Sequence, residues 1–347
     1  MRIKHLLFMA ATAMFAFTAC EDPETENSGS APANGGGSSN YWYAMDLAPK
    51  GVKSIADDNY TENFDADGRL ISIVSLEGET TFTYNSKGLL TKLTNIISYD
   101  GNADTTIMTY EYNNSGKFCP IPMSAGNVFH IYQQGLAPGL SKVRINDAYY
   151  GGEVVMEYKF QGDNLIITTT GGTKLDSLDN VVPIEWETYE FEYAGAYPYR
   201  ITREHEFIGP LTYQENGMFD QYVEGFFSWN SEFPGFVTQR STRYVNKSRK
   251  DKMLVDRMVI ESYNDGVSTP WNIQTVTSTY NDKGDLVSET TVNTEEGSED
   301  YLATYEYEYD QKGNWTKVTI TNSVTRSYLS KLPEPTVYTK ERTITYY

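Results

Sequence analysis

The most regular stretch of the chain is a period-two alternation. Tyr305, Tyr307 and Tyr309 are separated by Glu306 and Glu308, which puts rings on one face of an extended strand and carboxylates on the other. Ile71 and Ile73 alternate with Ser72 and Val74, and Thr168–Thr170 and Val276–Thr277 are β-branched runs that suit a pleated strand. Between such segments a loose repeat occurs: an aromatic residue, often Asn or Asp next, Gly four places after the aromatic, then an apolar residue. The aromatic and Gly positions are Phe64 and Gly68, Tyr84 and Gly88, Tyr112 and Gly116, Tyr158 and Gly162, Tyr280 and Gly284, and Tyr309 and Gly313. Asn or Asp opening a type I turn bonds the backbone two residues on. Gly then takes the positive φ that closes a hairpin with a bulge. The Tyr158 copy departs, with Lys159 in the Asn/Asp place and Leu165 one residue late.

Further turn signals fall at hairpin spacing: Glu77-Gly78, Asp100 to Asn102, Gly151-Gly152, Gly171-Gly172, Asn246 to Lys252, Asp265-Gly266 and Glu296-Gly297. Strands joined by tight turns pair with their neighbours, so the pattern predicts an all-β fold, a long antiparallel up-and-down meander. A long meander exposes two edges unless it closes, and the expected form is therefore a curled or closed, water-soluble, barrel-like shell. Two regions break the rhythm. Lys117 to Pro138 is rich in Pro and Gly and reads as a long crossing loop. Phe219, Tyr222, Phe226 and Trp229 recur at offsets of three, four and three, which predicts a short helix or plug despite Gly225 inside it and Pro234 soon after.

The turn motif, best seen from Tyr307 through Tyr309, Asp310, Gly313 and Trp315, resembles the tyrosine-aspartate hairpin repeats of the YD or RHS type. Spacings of 20, 28 and 46 between the first four copies, read from the aromatic positions, depart from a regular array. With Arg2 and Lys4, the apolar run from Leu6 to Phe17 and the following Thr18-Ala19-Cys20, the chain is similar to gut-bacterial secreted lipoproteins of unknown function. The resemblance implies hairpin arrays curled into porin-like barrels over residues 41–347.

Arg2 and Lys4 precede an apolar run from Leu6 to Phe17, and Phe17-Thr18-Ala19-Cys20 follows as a small-residue cleavage site. The run is too short for a retained spanning helix and reads as an export signal over residues 1–19. The segment resembles a bacterial lipoprotein signal with Phe17 in place of the more usual Leu, which implies that Cys20 is acylated and becomes the new N-terminus. Residues 20–40 hold no large apolar side chain and include Gly35-Gly36-Gly37, so they read as a flexible acidic, Gly- and Ser-containing tether. Glu21, Asp22, Glu24 and Glu26 look like a surface-export signal of lipoproteins from anaerobic Gram-negative gut bacteria. A solvated linker has the same composition, so display on the outer face and retention on the periplasmic face of an outer membrane both stay open. Residues 41–347 then form one hairpin-repeat domain.

The chain has 347 residues and a formal net charge of -19, with 28 basic against 47 acidic side chains. That balance argues against nucleic acid, whose phosphates call for a basic face. Mean hydropathy of -0.51 argues for a wettable body over a lipid-facing barrel, even though Tyr346-Tyr347 is reminiscent of such a barrel's last strand. After maturation only His130, His205 and the unlipidated Cys119 remain of their kinds, too few for a His/Cys zinc site, and no metal or cofactor is implied.

No Gly-x-Ser-x-Gly elbow, phosphate loop, dinucleotide fingerprint or His-Glu-x-x-His motif occurs; His205-Glu206 begins the last, but Gly209 stands where its second His belongs. Asn63, Asp65, Asp67 and Gly68 match the front of a calcium loop, yet Val74 sits where the bidentate carboxylate belongs, and the hairpin turn already accounts for Asp65 and Gly68. A glycoside hydrolase needs only two acids at a set separation, for which Glu185 and Glu187 around Trp186 are the first guess. Tyr41 to Tyr43, Trp186, Tyr197, Tyr199, Trp271 and Trp315 could stack on sugar rings, as could the candidate ligand-binding set Phe219, Tyr222, Phe226 and Trp229. Core packing is the competing account of all of these. Lys247, Arg249, Lys250 and Lys252 form one basic run, read as a hairpin loop. The leading expectation is a non-enzymatic envelope lipoprotein contacting glycan or protein, with a polysaccharide hydrolase as the alternative. Labelled palmitate is expected to enter the wild-type chain in a lipoprotein-processing host, and Cys20→Ser should abolish the label.

Overall fold

The computed structural model describes residues 51–99, 102–122, 135–177, 180–203, 205–214, 219–229, 232, 235–245, 254–327 and 332–347. Cys20, the tether, Tyr41 to Tyr43, His130 and the basic run at Lys247 to Lys252 lie outside the described residues. The fold is all-β and antiparallel, and twenty-two of its strands form one up-and-down sheet. The chain divides into two compact units, one ending at Pro198 and taking in Ile344–Tyr347, the other covering Tyr199–Thr343.

The first unit carries β1 (Val52–Ala56), β2 (Tyr60–Phe64), β3 (Leu70–Ser75), β4 (Gly78–Tyr84), β5 (Leu90–Tyr99) and β6 (Asn102–Tyr112). It continues through β7 (Phe118–Pro120), β8 (Leu136–Pro138), β9 (Leu140–Asp147), β10 (Gly152–Gln161), β11 (Asn164–Gly171), β12 (Thr173–Leu175), β13 (Val181–Pro183) and β14 (Tyr189–Ala194). Each of β1 to β5 pairs with the next, then β6 with β9, β9 with β10, β10 with β11 and β11 with β14.

Beyond these come β15 (Tyr197–Thr202), β16 (Glu206–Ile208), β17 (Thr212–Tyr213), β18 (Phe219–Phe227), β19 (Val237–Val245) and β20 (Val255–Ser262). They are followed by β21 (Asn272–Tyr280), β22 (Leu286–Asn293), β23 (Asp300–Tyr309), β24 (Trp315–Arg326), β25 (Thr336–Glu341) and β26 (Thr343–Tyr346). From β18 to β24 every strand pairs with its successor, while β16 and β17 both lie along β18. The exposed edge of β1 is covered by β26: Tyr347 N–H donates to Gly51 O at 3.0 Å, and Ser54 Oγ meets Thr345 Oγ1 at 2.6 Å.

The repeated turns fold as their chemistry dictates. Asp65 N–H donates to Arg69 O at 2.9 Å and Gly68 N–H to Asp65 O at 3.0 Å, while Asp65 Oδ1 accepts the amides of Asp67 and Arg69. Asn85, Asn281 and Asp310 do the same in their turns, with Gly88, Gly284 and Gly313 at φ of 76°, 81° and 85°. A register shift precedes each of these turns, at Phe64, Tyr84, Tyr280 and Tyr309, as a bulged hairpin requires. The Tyr158 copy does depart. It is a two-residue hairpin with Gln161 opposite Asn164 and no bulge.

Three tyrosine hydroxyls close bonds to backbone carbonyls near the turns. Tyr84 donates to Leu70 O at 2.8 Å, Tyr112 to Leu90 O at 2.6 Å and Tyr307 to Leu286 O at 2.9 Å. In these three cases the acceptor is the apolar residue just past the preceding turn. The hydroxyl thus satisfies a carbonyl that the bulge displaces from the ladder. Tyr347 makes the corresponding bond to Phe64 O at 2.5 Å.

Two expectations need correction. Lys117 to Pro138 is not simply a loop, because β7 and β8 pair with each other and bury Cys119 and Leu136 completely; the intervening 123–134 lie outside the described residues. Tyr112 therefore faces Leu140 across an insertion, and Gly139 at φ 71° takes over the turn. The Phe219 to Trp229 stripe is not a helix. Residues Phe219–Phe227 are a strand with partners on both sides, so ladder bonds from β16, β17 and β19 override the helical spacing.

In the first unit the core runs across the sheet face where Tyr110, Val143 and Met156 lie opposite one another, joined by Ile145, Val154, Leu165, Ile167 and Phe191. In the second, Trp315, Val318 and Ile320 pack with Tyr305, Tyr307 and Tyr309. Arg342 lies 3.6 Å over the Trp315 ring and its Nε donates to Trp315 O at 2.7 Å, so a buried cation is both stacked and bonded. Each of Tyr84→Phe and Tyr112→Phe is expected to cost about 1 kcal/mol, read as a lower urea midpoint at constant slope.

Candidate functional site

β18 is the element on which the predicted aromatic set is placed, and strand geometry splits that set. Phe219 and Tyr222 are both 0% exposed and meet edge to face at 5.2 Å, so they are core. Arg243 lies 5.7 Å over the Tyr222 ring while its guanidinium bonds Glu224 at 2.6 Å. Phe226 and Trp229 are instead 43% and 78% exposed. Gly225 explains how the strand passes between: a Cβ there would fall 2.2 Å from Gln239 O and 2.6 Å from the Phe207 ring, which packs 5.0 Å from Phe227. A side chain at this position has no room.

Trp229 is held although it is exposed. Its ring stacks on His205 at 3.7 Å with planes 26° apart, and the backbone beneath is pinned by Phe227 N–H to His205 O at 2.8 Å and Ser228 N–H to Phe236 O at 2.7 Å. Register places Glu206 and Gln239 on either side of Phe226, on the same face. Phe226 is thus flanked by a carboxylate and an amide, and Trp229 lies separately on His205. His205 is half-buried, and beside it Arg203 pairs with Glu206 at 3.8 Å. Its stacking on Trp229 has no signature in the spacing, since only the β16–β18 register brings the two together.

Trp271, another of the predicted rings, is 46% exposed. Asp65 Oδ2 bonds Arg69 Nε at 2.7 Å and its other oxygen caps the turn, so the calcium-like front is a self-satisfied hairpin. Among the described residues no group of three His, Cys, Asp or Glu could hold a metal ion. Glu185 and Glu187 are both exposed, flanking a Trp186 whose indole donates to Gly171 O at 2.8 Å and meets Tyr150 edge-on. Trp315 is buried, Tyr197 stacks on Phe118 at 4.6 Å, and Tyr199 lies under Arg200. Burial pushes the Cys119 thiol up to about 12, which makes it an inert core group. Sequence reading misses a polar cluster at one hairpin end. Asp300 takes both Arg326 Nε and a second guanidinium nitrogen, at 2.7 and 2.9 Å, and also accepts Asn293 N–H; the hydrogen bond to Arg326 holds its carboxyl below the ordinary range.

No protein-family model matches the chain, and no curated protein matches it. Among solved structures it is similar to a porin-like protein from Bacteroides uniformis, with TM-score 0.32 and 12% identity over 85% of this chain and 98% of that one. A porin-like protein from Bacteroides vulgatus matches with TM-score 0.24 and 11% identity over 86% and 99%. The TcdB2-TccC3-Cdc42 structure matches with TM-score 0.30 and 12% identity over 80% of this chain and 13% of that one. Among the described residues no helix is long and apolar enough to cross a membrane.

The split of the aromatic set has a direct test in stability. Phe219→Ala should cost about 3–5 kcal/mol as a core truncation, whereas Trp229→Ala should stay within about 1 kcal/mol of wild type. Urea unfolding of the two variants side by side measures both.

Proposed function

We propose that this chain is a non-enzymatic binding module of the cell envelope, moored by lipid on Cys20, and that the surface around Trp229 contacts glycan. The observation that supports this reading is a large ring kept 78% exposed yet held in one orientation by the stacked imidazole of His205. An apolar ring left in water forgoes about 2 kcal/mol of burial, which the flat face of a partner would recover. A fixed flat ring meets the C–H face of a sugar at little entropic cost. A tether of twenty residues, with a reach of about 25 Å, would let one body sample polymer near the membrane without long-range diffusion.

Affinity electrophoresis through gels containing soluble polysaccharides tests the reading. At least one polymer should retard the wild-type protein, and Trp229→Ala should lose most of that retardation with its circular dichroism unchanged. Migration unaffected by every polymer would remove the glycan reading and leave protein contact. Release of reducing ends by the same preparation would favour polysaccharide hydrolysis.

A further inference from the structure

β25 differs from the other strands of its unit. All six of its residues, Thr336 to Glu341, are exposed, including Val337 at 58% and Tyr338 at 42%. Its ladder runs along one side only: Lys317 faces Glu341, Thr319 faces Thr339 and Thr321 faces Val337, and among the described residues nothing pairs with the opposite side. The next residue fixes which backbone groups are used. Arg342 N–H donates to Thr316 O at 2.9 Å, so in this register the pairs that exchange bonds with β24 are those of Lys340, Tyr338 and Thr336. The amides and carbonyls of Val337, Thr339 and Glu341 therefore point outward. Such a row is a template for another strand.

From this edge we infer that β25 pairs antiparallel with β25 of a second copy of this chain, about a two-fold axis at Thr339. That register is the one that engages all three outward residues on both strands, and it is isologous, so it closes as a dimer with no free edge left to propagate. It sets Thr339 against its own mate and Lys340 against the ring of Tyr338 of the second copy, a cation–π contact made twice. No like charges oppose each other. A shift of the axis to Lys340 would set lysine against lysine, and a shift to Glu341 would set two carboxylates together. The charges behind the edge also balance locally, with Lys317 bridging Glu308 at 3.2 Å and Glu341 at 3.8 Å, so the strongly acidic chain does not repel itself at this point.

Light scattering on the full chain carrying Cys20→Ser, over a wide concentration range, should show the mass moving from one copy to two. Thr339→Pro removes an outward amide and no bond to β24, and should hold the mass at one copy with the same circular dichroism. The two-fold places the Thr339 Cα atoms about 5.5 Å apart, within reach of a disulfide, so Thr339→Cys should give a covalent dimer under mild oxidation. A cysteine at the exposed turn residue Glu296 serves as the control for random collision. Mass at one copy throughout, or Thr339→Cys linking no faster than Glu296→Cys, would overturn the pairing.

Discussion

A bulged hairpin displaces one carbonyl from its ladder, and the structure depends on how that carbonyl is satisfied. A tyrosine of the following hairpin reaches back to it: Tyr84 and Tyr112, at the aromatic place of the repeat, to Leu70 and Leu90, and Tyr307, two residues before that place, to Leu286. One side chain thereby serves two needs, covering the sheet with its ring and ending the polar deficit with its hydroxyl. This explains why tyrosine dominates the repeat over phenylalanine, and why the sheet tolerates so many bulges. Where the motif opens with Phe64 there is no hydroxyl to give, and its own carbonyl is met by Tyr347.

Turn chemistry is legible in the sequence because it is local. Asn or Asp at the first place, Gly with positive φ at the fourth, and the departure at Lys159 all involve interactions within five residues. The aromatic set misleads because its meaning is not local. Offsets of three and four suit a helix, but β18 has β16 and β17 along one side and β19 along the other, and only those partners decide that Phe219 is core and Trp229 is surface. Gly225, which counts against a helix, is the residue that points to the correct answer, since its missing Cβ makes room for the Phe207 ring. The long segment after Gly116 is hidden from sequence for a similar reason. Three-residue strands such as β7 and β8 are too short to show alternation, and they are recognised only by the pairing of Cys119 with Ala137.

The placement of Trp229 and the bare side of β25 share a logic. Each is a group that folding could have covered and did not, and in both cases the neighbouring residues hold it in a defined posture: the His205 stack in one, the β24 ladder in the other. Exposure without order would signal only a poorly packed surface. Exposure with order lowers the entropy a partner must remove on arrival.

The join between β1 and β26 brings together atoms 291 residues apart, as at Ser54 and Thr345, whereas a hairpin contact such as Asn63 with Ser72 spans nine. By the logarithmic law of ring closure the first is dearer by about 3 kcal/mol before any contact forms. Neighbouring ribbons can zip up one after another, but this seam must wait for them. Until it forms, the leading strand travels with a naked flank through whatever compartment the chain crosses, and that interval is when misassociation has its opportunity.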